Sequence, residues 1–186
     1  MKMPNKVVPL AAPVPAKRIR TKILYAREKL IDIITEMGPL MRAHDAEVWP
    51  GRKWGPRGVK FNVLKYLNLE AQGILKVITA RTGSGRLIGY CLEALELDDH
   101  YGMRGSINCG FFLHRDFRVG KGLSLRKHPG YRLLLERERL LDEVKAERRR
   151  IGVKVWIDFG PLLKRLGYEP DMIQYVKMAV PEKDED

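Results

Sequence analysis

The sequence predicts a single α/β domain on a mixed, mostly antiparallel sheet flanked by helices, with an extended N-terminal arm. Three observations carry that prediction. An amphipathic stretch follows the arm, three strand-like runs separated by turns come next, and a second long helical stretch then alternates with two more strand-like runs. The chain has 186 residues, enough for one packed core and short for two. Strands and helices do not alternate strictly, which disfavours a doubly wound sheet.

Residues 1–21 read as an extended basic arm, because Pro4, Pro9, Pro13 and Pro15 interrupt an otherwise apolar stretch that carries five cations and no acid. Within residues 22–47, Ile23, Leu30, Ile34, Met37 and Met41 fall on one helical face, and Gly38-Pro39 predicts a kink or a break into two helices. Residues 48–60 form a loop rich in Gly, Pro, Trp and basic side chains, and a short helix over about 61–72 ends before Gly73. The period then changes. Ile74–Ala80 and Leu87–Leu97 read as strands joined at Thr82-Gly83-Ser84-Gly85 into a hairpin, and a third strand is expected at about 106–114.

A glycine-rich basic segment at 118–130 precedes a helix predicted over 131–151, where Leu133, Leu140, Val144 and Ile151 form the stripe and Leu134 and Leu141 widen it. Gly152 is the expected helix end. A strand at Val153–Ile157, a short helix at Gly160–Leu166 and a last strand at Met172–Met178 complete the pattern, followed by an acidic tail at 181–186. Residues 22–180 are therefore expected to form one domain, with no internal repeat.

Composition narrows the function classes. Apolar residues make up 45%, as in a globular protein, and no apolar run approaches the ~20 residues that span a bilayer. With no signal-peptide pattern at its start, the chain is expected in the cytoplasm. The net charge of +12 suits an anionic partner such as a phosphorylated cofactor, nucleic acid or an acidic protein surface. Cys91 and Cys109 are expected to be two buried thiols, with a single disulfide as the other reading. His44, His100, His114 and His128 show no ligand spacing with Cys or acid, so no metal is expected.

The most informative stretch is strand, glycine-rich basic turn, long helix, through Phe111-Phe112-Leu113-His114-Arg115-Asp116-Phe117-Arg118-Val119-Gly120-Lys121-Gly122. A helix N-terminus presents unpaired N–H groups and partial positive charge, glycines let the backbone curl round an anion, and Arg or Lys add full charges. This is a device for a phosphate or diphosphate. It is not a P-loop, because no Gly precedes Gly120-Lys121 at the required spacing and no Ser or Thr follows them. Two registers remain open: the helix follows Gly122 directly, or Gly122–Pro129 is an insertion and the helix starts at Gly130-Tyr131, as Pro129 favours.

The same segment resembles the pyrophosphate loop of the GNAT N-acetyltransferase superfamily. Pro161–Pro170, with Leu166-Gly167-Tyr168-Glu169, resembles the late helix and Leu-Gly-Tyr-Glu corner of that superfamily, and Val77–Arg81 with Gly85–Tyr90 resembles its central hairpin. The three matches occur in the family's order over about residues 60–178. Asp99-His100-Tyr101 and Gln174–Met178 are similar in wording to small acetyltransferase-like proteins of tailed bacteriophages.

The resemblance implies acetyl-CoA as co-substrate, held where two neighbouring parallel strands splay apart. The strand ending at Leu113 would offer backbone groups to the pantetheine. Arg118 and the backbone of Val119, Gly120, Lys121 and Gly122, with Gly130 and Tyr131, would hold the pyrophosphate, and Arg126 or Lys127 the 3′-phosphate.

Acetyl transfer to an amine needs a base for the amine and an acid for the leaving thiolate. Many family members use as acid a tyrosine at the position of Leu163. In its absence Tyr101, Tyr168 or Tyr175 is the candidate acid, with Tyr168 preferred. Glu93, Glu96 or His100 is the candidate base, with Glu96 and His100 preferred. The implied function is an N-acetyltransferase acting on a primary amine, and the basic loop at 48–60 favours a neutral or anionic acceptor. The alternative is an inactive GNAT-fold structural or interaction protein, such as a phage virion component partnered by virion proteins or a second copy of itself. Nucleic-acid binding is a third reading, supported by charge but by no reading motif.

Overall fold

The first amphipathic stretch divides into a strand and a helix. In a computed structural model, which describes residues 22–48, 62–97, 102–118, 125–153 and 159–171, Ile23–Arg27 is strand β1 and Leu30–Val48 is helix α1. Ile23 and Tyr25 face inward while Leu24 and Ala26 face solvent, the period-2 signature of a strand. The seven-residue spacing that aligned Ile23 with Leu30 is a coincidence of two periodicities. α1 is a single helix with Pro39 inside it on the exposed face. Leu30, Ile33, Met37 and Leu40 form its buried line, with Ile34 and Met41 packed at its flank. Its first two N–H groups, on Leu30 and Ile31, donate to the Glu70 carboxylate of helix α2 (Val63–Ala71), and Asn62 caps α2 by accepting from Lys65 N at 3.1 Å.

Strands β2 (Leu75–Thr82), β3 (Leu87–Leu97) and β4 (Arg104–Leu113) follow as an antiparallel meander, and β1 adds antiparallel to β2. Gly89 is required at the β3–β4 contact, since a Cβ there would stand 2.8 Å from Phe112 O. The fifth strand, β5 (Arg148–Arg150), pairs parallel with β4, giving the order β1-β2-β3-β4-β5. The sheet is thus mixed and mostly antiparallel, as expected.

Helix α3 runs from Pro129 to Glu143 and stops eight residues before the end that the apolar stripe predicts. Its last turn closes as a Schellman motif: Ala146 N donates to Leu141 O at 2.9 Å, Lys145 N donates to Asp142 O at 3.1 Å, and Lys145 takes the left-handed conformation with φ 55°. Lys145 fills a place usually held by glycine, which hides the helix end in the sequence. Residues 148–150 are then free to pair with Gly105, Ser106 and Ile107. A short helix, α4 (Gly160–Lys164), follows.

Two apolar layers enclose the sheet. α1 and α2 pack on the face carrying Val77, Tyr90, Leu92 and Phe112. α3 packs through Leu133 and Leu140 on the face carrying Ile78, Ile88, Cys91 and Leu113. Both cysteines are free; Cys91 is buried, but Cys109 is exposed, contrary to expectation. The arm, the loop at 49–60, most of the strand expected at 153–157 and the strand expected at 172–178 lie outside the described residues.

Candidate active site

β4 carries the parallel pairing of the sheet. It pairs with β5 only through Gly105–Ile107, whereas its pairing with β3 continues to Leu113. Among the described residues, Asn108–Leu113 therefore have a partner strand on one side only. Within this stretch the register shifts: Leu92 faces Gly110 and Glu93 faces Asn108, so Cys109 is the extra residue of a β-bulge. A bulge bends its strand and increases the local twist. Asn108 secures it. Its Nδ2 lies 3.2 Å from Leu92 O, 3.1 Å from Glu93 Oε2 and 3.4 Å from Gly110 O, covering acceptors on both sides of the irregularity.

Beyond the bulge the ladder alternates regularly. His114 N donates to Ile88 O, so His114 and Phe112 turn their polar groups toward β3, and Phe111 and Leu113 turn theirs to the outer edge. Leu113 O is already used there by Arg118 Nε at 2.5 Å. The Arg118 guanidinium also pairs with Glu47 at 2.6 Å and lies 5.0 Å over the Phe112 ring. Arg118 thus ties the end of β4 to the end of α1.

The N-terminus of α3 stands at the end of this edge, with Gly130 packed beside Leu113. The helix starts at Pro129, the second of the two registers open in the sequence. Proline suits the first helical position because its missing N–H would have no intrahelical partner. His128 precedes it and gives no side-chain cap; its Nε2–H donates to Arg118 O at 2.8 Å. The N–H groups of Gly130 and Tyr131 are left uncapped among the described residues, at the positive end of the helix dipole. Tyr25 Oη donates to Pro129 O at 3.0 Å and holds this turn in place. Burial raises the Tyr25 hydroxyl to about 12, so it stays protonated and remains a donor.

The remaining expected residues separate. Glu96 lies on the α1 face, opposite to Glu93, and is ion-paired with Arg150. Tyr168 lies on the α3 face, where its hydroxyl donates to Glu138 at 2.8 Å and accepts from Arg137. Glu93 is wholly buried against Arg137. Leu163 is only 7% exposed. Glu96 and Tyr168 are therefore not brought together. Val119, Gly120, Lys121 and Gly122, and with them His100, Tyr101 and Tyr175, lie outside the described residues.

A cluster that sequence reasoning missed does gather on the α1 face of β4. His44 Nδ1 lies 2.7 Å from Tyr90 Oη, and the imidazole stacks on Phe112 with centroids 4.9 Å apart and planes at 22°. Burial lowers the His44 pKa; Glu47 and Asp45 oppose this, and Arg118 adds to it. Tyr66 of α2 is hydrogen-bonded to Cys109 at the bulge, and burial raises the Tyr66 hydroxyl above its ordinary value. The His44 signal was hidden because the α1–β3 contact spans 46 residues.

No protein-family model matches the sequence, and no curated protein matches it. Solved structures do match. A ribosomal-protein-alanine N-acetyltransferase from Brucella melitensis biovar Abortus 2308 is 18% identical, with a TM-score of 0.57 over 85% of this chain and 99% of that one. An aminoglycoside acetyltransferase from an uncultured soil metagenomic sample, in complex with trehalose, is 12% identical, with a TM-score of 0.59 over 85% and 97%. A GNAT family acetyltransferase from Staphylococcus aureus is 15% identical, with a TM-score of 0.53 over 84% and 98%. Among the described residues, no helix is long and apolar enough to cross a membrane, and no three His, Cys, Asp or Glu side chains are grouped to hold a metal ion. These likenesses, with the five-stranded, mostly antiparallel sheet, show that the chain has the GNAT acetyltransferase fold.

Proposed function

We propose that the protein transfers an acetyl group from acetyl-CoA to a primary amine. The observation that carries this reading is the outer edge of β4, irregular at the Cys109 bulge and leading to an N-terminus of α3 that no described residue caps. An extended polar chain can add to such an edge through the backbone of Phe111, and a diphosphate suits the free amides of Gly130 and Tyr131. The thioester supplies an activated acetyl group; the protein supplies orientation, which alone is a large part of acyl-transfer catalysis.

Three acidic side chains near this side are ion-paired: Glu47 with Arg118, Glu96 with Arg150, and Asp171 with Arg148 at 3.0 Å. That balance supports a neutral or anionic acceptor over a polycation. Calorimetric titration with acetyl-CoA, with free CoA as control, tests cofactor recognition. Release of CoA thiol in the presence of a tripeptide with a free α-amine, with spermidine as the cationic control, tests turnover. Micromolar binding and tripeptide-dependent thiol release are expected. Absence of binding at millimolar acetyl-CoA overturns the reading.

A second reading rests on Leu163. Its buried side chain fills the position of the usual acid and offers no proton, which favours a protein that uses the fold for interaction with other proteins or a second copy of itself. On that reading acetyl-CoA titrates without effect.

A further inference from the structure

We infer that His44 is the proton acceptor of the acetyl-transfer site, positioned by its contact with Tyr90. The inference rests on the proposed acetyl transfer and adds to it a residue that composition and motif left unmarked.

Position comes first. His44 stacks on Phe112, which lies in the stretch of β4 that runs past β5, so the imidazole stands over that edge on the face where α1 and α2 pack. Tyr66 and Cys109 border the same face at the bulge. The other candidate bases among the described residues are committed elsewhere. Glu96 is ion-paired with Arg150, and Glu93 is buried against Arg137. His128 holds Arg118 O, while His114 Nδ1 accepts from Asp116 N at 3.4 Å at the head of a 3₁₀ turn.

The base form is the tautomer in which Tyr90 accepts. Tyr90 is 2% exposed, and its hydroxyl oxygen is 2.7 Å from His44 Nδ1. When Nδ1–H donates to that oxygen, the lone pair resides on Nε2, which has no hydrogen-bond partner among the described residues.

Charge keeps it there. The groups facing the ring are Asp45 and Glu47 on its own helix, Arg118 after β4, and the neutral Tyr90 of β3. Burial and the Arg118 cation outweigh the two carboxylates and hold the imidazole below the ordinary value of 6.5, so it is neutral near pH 7.

The step balances without another reagent. The amine lone pair forms the C–N bond to the acetyl carbonyl carbon, and the nitrogen loses a proton to His44 Nε2. The C–S bond breaks, CoA sulfur leaves with the bonding pair and takes a proton from solvent, and the imidazolium returns its proton to solvent.

The test uses the full chain, acetyl-CoA and the tripeptide with a free α-amine. kcat is followed between about pH 6 and pH 9, a range spanning the imidazole and α-amine ionisations, with acetyl-CoA binding measured alongside. His44→Gln is expected to lower kcat by about 10²–10³-fold, within the range of general-base contributions, while acetyl-CoA binds as before. Tyr90→Phe is expected to lower kcat less and to move the acidic limb of the profile. Imidazole added to His44→Ala is expected to restore part of the rate.

An His44→Gln protein that binds acetyl-CoA and turns over within threefold of the wild type overturns the inference and leaves the acetyl transfer standing. A wild type that binds acetyl-CoA but releases no thiol overturns both. Should His44→Gln fail to bind acetyl-CoA, the Tyr90→Phe profile decides, and an acidic limb that does not move overturns the inference.

Discussion

Arg137 on α3 and Glu93 on β3 form a two-pronged ion pair sealed from solvent: Nε donates to Oε2 at 2.7 Å, Nη2 donates to Oε1 at 2.5 Å, and both side chains are 0% exposed. Around this pair gather Asn108 from β4, Glu138 from α3, Tyr168 after α4, and the carbonyl of Arg150 from β5, which accepts from Nη2 at 3.1 Å. One guanidinium thus ties four elements together beneath the sheet. Breaking a buried pair strands a charge, whereas replacing both partners by apolar groups does not.

Glu93→Gln or Arg137→Met is therefore expected to lower unfolding stability by about 3–5 kcal/mol. The double variant Glu93→Leu with Arg137→Met is expected to recover most of that loss. Urea denaturation of the three proteins checks this, and equal losses in single and double variants would show that the network stabilises through packing alone.

Asn108 carries the next prediction. Its amide is the donor that covers Leu92 O, Gly110 O and Glu93 Oε2 around the bulge. Asn108→Ala leaves buried acceptors unpaired and is expected to cost about 1–3 kcal/mol in denaturant unfolding. Because the bulge also bends the edge proposed to bind the cofactor, acetyl-CoA affinity is expected to fall in the same variant. A variant that loses stability but keeps full affinity would separate the bulge from cofactor binding.

The contrast between what the sequence discloses and what it hides follows the range of the interactions. The hairpin of β2 and β3 and the core strand β4 are legible because alternation and turn glycines are local signals. Pro129 likewise marks the start of α3, by fixing φ and lacking a donor. β5 is illegible because Arg148-Arg149-Arg150 has no strand character of its own; it becomes a strand by pairing with residues some 43 positions away. The end of α3 is hidden because Lys145, not glycine, takes the left-handed position. For the site, the glycine-rich turn led to Gly130 and Tyr131, but the His44–Tyr90 contact joins α1 to β3 and leaves no spacing signature. Charge pairing was invisible too: Glu96 looked free in the sequence and meets Arg150 only in the folded chain.

That pairing makes Glu96 testable. Both partners are partly exposed, at 26% and 31% of their side-chain areas, so the bridge lies in the range where ion pairs contribute about 0–1 kcal/mol. Glu96→Gln is expected to change stability by less than about 1 kcal/mol and to leave tripeptide turnover within a few-fold of the wild type. A loss of 10²-fold or more in kcat, with stability kept, would assign the base to Glu96 and release Arg150 from a purely structural role.

Acid unfolding separates two groups by the sign and place of their effects. His44 has a folded pKa below 6.5, so between that lowered value and 6.5 the unfolded chain binds more protons. Its share of stability is complete above about pH 6.5 and is lost as pH falls through the folded value. Glu28 is shifted in the same direction: burial works against its charge, but hydrogen bonds from Arg81 and Thr79 outweigh it and lower the pKa from 4.5. Its contribution is present above about pH 4.5 and disappears at lower pH, after that of His44. Melting temperature measured against pH is therefore expected to fall in two stages on acidification. His44→Gln removes the first stage and keeps the second, and Glu28→Gln does the reverse. A His44→Gln protein whose melting temperature still declines just below pH 6.5 as the wild type does would show that the imidazole is not held neutral by its burial against Phe112 and Tyr90.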